Sequence, residues 1–155
     1  MPSRKVKEYL DNAGVKYKVM EHDTAFTAQE VAAATHVKGK ELVKAIMVKT
    51  GDQMIMAVTP STRKLDFELL KKILKAKNVI LASEEEFAPL FADCEIGAMP
   101  PMGKLYNVDV IADESLADDK EIVFRAGTHH DIIRISYEDY KKLENPKLAK
   151  ITTHI

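Results

Sequence analysis

Apolar residues recur along this chain at two spacings, and each spacing predicts its own kind of element. Val6, Tyr9 and Leu10 fall on one helical face behind Ser3, a residue suited to cap a helix, and Gly14 can end it. Tyr17 to Glu21 then alternates apolar and polar, as an edge strand does. Thr27-Ala28-Gln29-Glu30 has the form of a capping box, in which the threonine hydroxyl meets the third helical N–H and the glutamate reaches back. It opens an alanine-rich helix, Ala28 to Ala34, that stops before Val37-Lys38-Gly39. Next come two β-rich runs, Val43 to Lys49 and Gln53 to Val58, joined by Thr50-Gly51-Asp52. That arrangement predicts a hairpin near the centre of a sheet, with Pro60 breaking its second strand.

Beyond the hairpin, Asp66 caps a predicted helix to about Lys75, with Phe67, Leu70, Ile73 and Leu74 in helical register. Val79-Ile80-Leu81 is expected as a short buried strand, and Ser83 as the cap of an acidic helix through Phe91. Gly97 to Gly103 is a loop by composition. Three β-rich segments follow, Tyr106 to Ile111, Ile122 to Ala126 and Ile132 to Ser136, before a closing helix around Tyr137 to Leu143. The elements intermix without strict β-α alternation, so the expectation is an α/β (α+β) domain with a mixed sheet.

The length of 155 residues suits one domain, and no repeat, linker or low-complexity segment divides it, so residues 1–155 are expected to form one unit. A net charge of -1 argues against coating nucleic acid through bulk charge, while leaving a local basic patch open. The single cysteine, Cys94, cannot make an internal disulfide, which favours a reducing compartment. No apolar run approaches the length of a bilayer span, and the charged first residues lack a signal-peptide core. The expectation is a cytoplasmic chain with no membrane partner.

Familiar catalytic signatures are absent. There is no Walker loop, no dinucleotide fingerprint, no His-Glu-x-x-His and no Gly-x-Ser-x-Gly elbow. His129-His130-Asp131 is the closest cluster of metal-type ligands, but neighbouring strand residues face opposite ways, so a polar hairpin turn is favoured and no metal or cofactor is expected. Thr59-Pro60-Ser61-Thr62 offers hydroxyls without a base, and Cys94 stands between Asp93 and Glu95, carboxylates that would hold its thiol protonated.

Two features resist a purely structural reading. Lys44 lies inside an apolar strand, with Lys49 facing the other side, and spacing alone leaves it as either a strand-edge charge or a functional cation. Gly97-Ala98-Met99-Pro100-Pro101-Met102-Gly103 packs two glycines and two prolines into seven residues, either as a rigid turn or as a stiff backbone that presents N–H groups to an anion or carbonyl.

Taken in order, Thr27 to Ala32, Val43 to Val48, Gly97 to Gly103 and Ala126-Gly127-Thr128-His129 resemble the YbaK/EbsC family of aminoacyl-tRNA deacylases, relatives of the editing domain of bacterial prolyl-tRNA synthetases. The resemblance runs from about Val6 to Leu143. It implies a mixed, strongly curved sheet surrounded by helices, and hydrolysis of the ester that joins a wrong amino acid to the 3′ end of tRNA. It also implies a functional strand lysine, matching Lys44, and a Gly-x-x-x-Pro loop, matching Gly97 to Pro101, along the amino-acid pocket. Lys44 and Gly97 are then the catalytic candidates, and Thr27, Met47, Ala98, Met99, Pro101 and His129 the substrate-binding ones. Many members carry a second glycine where this chain has Ala98, and the turn near Gly127 varies within the family.

The implied chemistry needs no strong nucleophile, because an aminoacyl ester is already activated and the vicinal ribose hydroxyl can help place water. Lys44 would hold the terminal phosphate or ribose, and N–H groups around Gly97 to Met99 would stabilise charge on the ester carbonyl. Lys38, Lys40 and Lys49 would add attraction for the acceptor stem. The expected partners are the 3′ end of mischarged tRNA and an aminoacyl-tRNA synthetase. The alternative is a tRNA- or synthetase-binding module of the same fold without turnover. Met47, Met56 and Met99 can serve as pocket lining or as core, and the amino acid removed is left open.

Overall fold

The computed structural model describes residues 2–23, 27–35 and 37–154, with backbone alone for Ala28 and for Ala32 to Ala34. Met1, and any structure for residues 24–26 and 36, lie outside the described residues, as do the side chains of Ala28 and Ala32 in the segment that carries the resemblance.

Helix α1 (Arg4–Asn12) starts where expected, with the Ser3 hydroxyl accepting from the Val6 N–H and with Val6 and Leu10 buried. Strand β1 (Lys18–Glu21) is an edge strand. The capping box of α2 (Ala28–Thr35) is fully formed: Thr27 Oγ1 accepts from the Glu30 N–H at 3.1 Å, and the Thr27 N–H donates to Glu30 Oε1 at 3.3 Å. A short 3-10 turn, Gly39–Glu41, leads into β2 (Val43–Thr50), which pairs antiparallel with β3 (Gln53–Pro60) along their whole length. Pro60 closes β3 as its last residue. Strand β4 (Arg63–Leu65) precedes α3 (Phe67–Leu74), capped by Asp66 through the Glu68 and Leu69 N–H groups.

Strand β5 (Ile80–Leu81) corrects an expectation. It pairs only with the edge of β2, and Ile80 and Leu81 are 59% and 60% exposed, so only Val79 of that apolar run is buried. Helix α4 (Glu84–Phe87) has its capping box at Ser83 and passes at Pro89 into a 3-10 turn, Ala88–Phe91. A further 3-10 turn, Gly103–Tyr106, ends on Asn107 at φ +58°, so β6 begins three residues later than the expected Tyr106, at Asp109–Asp113. Strands β7 (Glu121–Arg125) and β8 (Asp131–Ser136) form a hairpin, and α5 (Tyr137–Glu144) follows. The chain does not close with that helix: β9 (Lys147–Ala149) and β10 (Thr152–His154) come after it.

The strands form a five-stranded mixed sheet, β5-β2-β3-β6-β9, a three-stranded antiparallel sheet, β1-β8-β7, and the pair β10-β4. The mixed character comes from β6, which runs parallel to both β3 and β9. Alternation along β2 divides the interior. Val43 and Met47 pack with Met56, Val58, Phe124 and Tyr140 on one side, while Val48 packs with Ile55, Leu70 and Ile111 on the other. The mixed sheet with helices around it is thus present, divided among three hydrogen-bonded groups of strands rather than drawn into one.

Candidate functional site

Lys44 stands second in β2, exposed, between the buried Val43 and the partly buried Ala45. Its cross-strand partner is Thr59, which is fully buried and whose Oγ1 has no hydrogen-bond partner. Just before it, Leu42 makes a parallel bridge to Val123 of β7. That bridge stands two residues before Lys44 on one chain and two before Arg125, the last residue of β7, on the other.

Arg125 in turn reaches the glycine-proline loop, where its Nη1 donates to the Gly97 carbonyl at 2.8 Å. Burial pulls its guanidinium pKa down, and the negative charge of Glu30 in the first turn of α2 opposes that shift. His129, from the β7–β8 turn, donates from Nε2 to the Ile96 carbonyl at 2.8 Å, because a carbonyl can only accept. The Gly127 N–H donates to the Ala98 carbonyl at 2.9 Å, and the Glu95 N–H to the Gly127 carbonyl at 2.8 Å. At the far end of the loop the fully buried Tyr140 donates its hydroxyl to the Pro101 carbonyl at 2.8 Å.

Gly97 itself is exposed and sits at φ +84°, a conformation that L side chains rarely adopt. Ala98 keeps an ordinary negative φ and is completely buried, so its methyl packs inward and neither strains the loop nor reaches into open space. The Ala98 N–H donates to the Glu95 carbonyl at 3.0 Å, whereas the N–H groups of Gly97 and Met99 have no partner among the described residues.

Cys94 borders the loop and is no nucleophile. Burial chiefly, with Asp93 adding to it against a hydrogen bond shared with Tyr106, pushes the thiol up to about 11. Of the two flanking carboxylates expected to do this, Asp93 contributes less than burial and Glu95 is not among the causes. Asp93 accepts from the hydroxyls of Ser3 and Tyr106, tying the loop's approach to the start of α1.

The structure brings together Gly97, Ala98, Met99, Pro101 and His129, while Lys44 is linked to this group only indirectly, through the Leu42–Val123 bridge two residues before it. Thr27 lies at the exposed N-terminus of α2 with its hydroxyl engaged by the helix. Met47 and Met56 are buried in the main core at 3% and 0% exposure. Met99 belongs to the same core and also lines a cleft of about 10 Å³ with Phe87, Phe91, Cys94 and Ile96. Lys49 is not open for an acceptor stem: it pairs with Glu86 at 2.5 Å, while Lys38 and Lys40 are exposed beside Gly39. His129-His130 lies in the β7–β8 turn, and among the described residues no group of three or more His, Cys, Asp or Glu is placed to hold a metal ion.

Sequence reasoning missed Arg125 and Tyr140. Arg125 left one trace, a charge at the end of the apolar run Ile122-Val123-Phe124; Tyr140 left none. A cavity of about 690 Å³ lies elsewhere, among Gln53, Leu74, Lys75, Lys104, Asp109 and Lys147, and contains none of the expected site residues. We locate the site by its convergent polar groups rather than by volume, since the acids near that cavity are already engaged, Asp109 by Gln53 and Glu144 by Tyr9 and the Lys104 N–H.

Residues 22–143 match the sequence model of the aminoacyl-tRNA editing domain. The chain belongs to this family. A stretch of 97 residues is 33% identical to the proline–tRNA ligase of Thermosipho melanesiensis, covering 63% of this chain and 17% of that protein. Another of 89 residues is 26% identical to the proline–tRNA ligase of Bacillus cereus (strain AH187), covering 57% of this chain and 16% of that protein. The match therefore spans only a small part of these curated relatives. The fold is also that of a crystallised protein proposed as a trans-editing enzyme for prolyl-tRNA synthetase, with TM-score 0.87 and 22% identity over 97% of this chain and 96% of the other. The hypothetical protein APE2540 is similar to the same degree, with TM-score 0.87 and 21% identity over 97% and 100% of the two chains. Among the described residues no helix is long and apolar enough to cross a membrane.

Proposed function

We propose that this editing domain is an aminoacyl-tRNA deacylase, a single domain acting in trans in the cytoplasm on tRNA that carries a wrong amino acid. Its relation to proline–tRNA ligases makes a tRNA misacylated by such an enzyme the first substrate to consider, and that synthetase the first partner. The observation that supports the reading best is the Gly97–Pro101 loop tied by Arg125 to the end of β7, a strand bridged at Val123 to Leu42, two residues before the exposed Lys44.

In this reading Lys44 holds the terminal phosphate or ribose and so places the ester. Water adds to the ester carbonyl carbon, and the negative charge that builds on the carbonyl oxygen is met by the N–H groups of Gly97 and Met99. The bond from that carbon to the ribose oxygen then breaks, and the water proton passes to the departing hydroxyl. A protonated Cys94 is consistent with direct attack by water. Ala98, Pro101 and Met99 act from beneath as buried supports of the loop.

The test is the ester lifetime of a panel of correctly and wrongly charged tRNAs, including alanyl-, cysteinyl- and seryl-tRNA. Faster release from one mischarged species, abolished by Lys44→Ala, supports a deacylase. Binding of tRNA with no ester shortened would make the domain a binding module instead.

A further inference from the structure

We infer that Arg125 and His129 are positioning residues, which clamp the Ile96 and Gly97 carbonyls and thereby aim the loop N–H groups. Three consecutive carbonyls of the loop point back to the β7–β8 hairpin: Ile96 to the His129 ring, Gly97 to the Arg125 guanidinium and Ala98 to the Gly127 N–H. No peptide bond among the described residues is cis. In a trans peptide the C=O of one residue and the N–H of the next lie in one plane and point in opposite directions. Fixing the Ile96 carbonyl therefore turns the Gly97 N–H away from the hairpin, and fixing the Ala98 carbonyl does the same for the Met99 N–H. The Gly97 carbonyl, held by Arg125, turns the intervening Ala98 N–H away from that guanidinium, where it is spent on the Glu95 carbonyl.

The result is two N–H groups without a partner among the described residues, turned from the hairpin on either side of one satisfied by Glu95, in a segment whose three carbonyls are engaged. Concavities of successive N–H groups of this kind bind anions and developing negative charge. The clamp acts through side chains that need not touch the substrate: His129 is 6% exposed, and Arg125 is half-buried. His129 also backs the glycine from behind, its Cε1 lying 3.5 Å from where a Gly97 side chain would begin.

This inference rests on the deacylase reading, and the experiment separates the two. Steady-state hydrolysis of the responsive mischarged tRNA is measured for His129→Ala, His129→Gln, Arg125→Ala and Arg125→Lys. Displacing a reacting partner by 1 Å costs about 10²-fold. The alanine variants are therefore expected to lose about tenfold to a hundredfold in kcat with KM nearly unchanged. Glutamine at 129 and lysine at 125 each restore a donor and should recover most of the loss. Unchanged kcat, a loss confined to KM, or conservative variants no better than alanine would overturn the clamp. In parallel, the amide exchange rates of Gly97 and Met99 are read by NMR in each variant without any tRNA. They should change in the alanine variants and return towards the wild-type values in the conservative ones, while the β2–β3 amides stay unchanged. If an alanine variant does not fold, the conservative variant decides: near-wild-type kcat and exchange support the clamp, and alteration of both overturns it. If no ester is hydrolysed by the wild type, the deacylase reading fails, and the exchange data still decide the clamp.

Discussion

Replacing Gly97 by alanine separates the fold of this loop from its chemistry. At φ +84° the substitution puts an L side chain into left-handed backbone, at a cost of about 1–2 kcal/mol. Sterics add little, because the new Cβ would meet only His129, at 3.5 Å to Cε1 and 3.9 Å to Nε2, which is ordinary contact. The unfolded chain also loses freedom when glycine becomes alanine, which returns about 0.4–1 kcal/mol. The net destabilisation is then about 0–1.6 kcal/mol, and a chain of this size loses roughly 2–4 °C in Tm for each kcal/mol. Catalysis should suffer far more. If the backbone relaxes towards negative φ, the Gly97 N–H swings off its line, and loss of one such donor costs about 10²–10³ in kcat. The assay pairs thermal unfolding with single-turnover deacylation. A variant with full activity would refute the role given to this N–H, and a drop in Tm beyond about 6 °C would refute the claim that the site is sterically open.

Three more outcomes follow from the geometry around the loop. Tyr140→Phe leaves the Pro101 carbonyl without its donor and should cost about 1–3 kcal/mol, read as a lower Tm; an unchanged Tm would remove Tyr140 as an anchor. Asp93 is pushed up by burial but held on balance below the usual carboxylate range by the hydroxyls of Ser3 and Tyr106, so its contribution is present above about pH 4 and fades as pH falls through its lowered value. The stability gap between wild type and Tyr106→Phe should therefore be widest above about pH 4 and narrow towards pH 2, and a gap that widens in acid would contradict the assignment. Cys94, pushed up to about 11, should react with iodoacetamide at a rate still climbing at pH 9, and a plateau near neutrality would mean an activated thiol.

Elements whose signals are local were legible in the sequence. Ser3, Thr27, Asp66 and Ser83 each cap the helix that follows, and the Gly51-Asp52 turn sets the register of the β2–β3 hairpin, because these devices act within a few residues. Elements defined by distant partners were not. Lys147–Ala149 carries no β pattern and is a strand only because β6 lies beside it, and Thr152–His154 depends on β4, with the Ile151 N–H held by Asp113 at 3.0 Å. Val79-Ile80-Leu81 looked buried because a short apolar run reads alike in the centre of a sheet and at its edge, and only the pairing to β2 alone puts two of its three residues in solvent.

The candidate site divides along the same line, for a reason rooted in its chemistry. A site built from side chains announces itself through residue types and spacings, as metal or triad motifs do. Here the groups assigned to the carbonyl oxygen are backbone N–H donors, which every residue except proline has, so the sequence marks them only through the constraint on their backbone. Gly97 carries that mark because its positive φ favours glycine, and the prolines carry it because they fix φ. Lys44 was visible as a charge in an apolar strand, but its role came from resemblance. Arg125 and His129 act on carbonyls, which have no identity in the sequence at all, from 28 and 33 residues away. A relative can therefore keep the loop's glycine and proline and hold its carbonyls with different side chains. Likeness in the Gly97–Pro101 segment alone is then a weaker guide to activity than the presence of donors opposite Ile96 and Gly97.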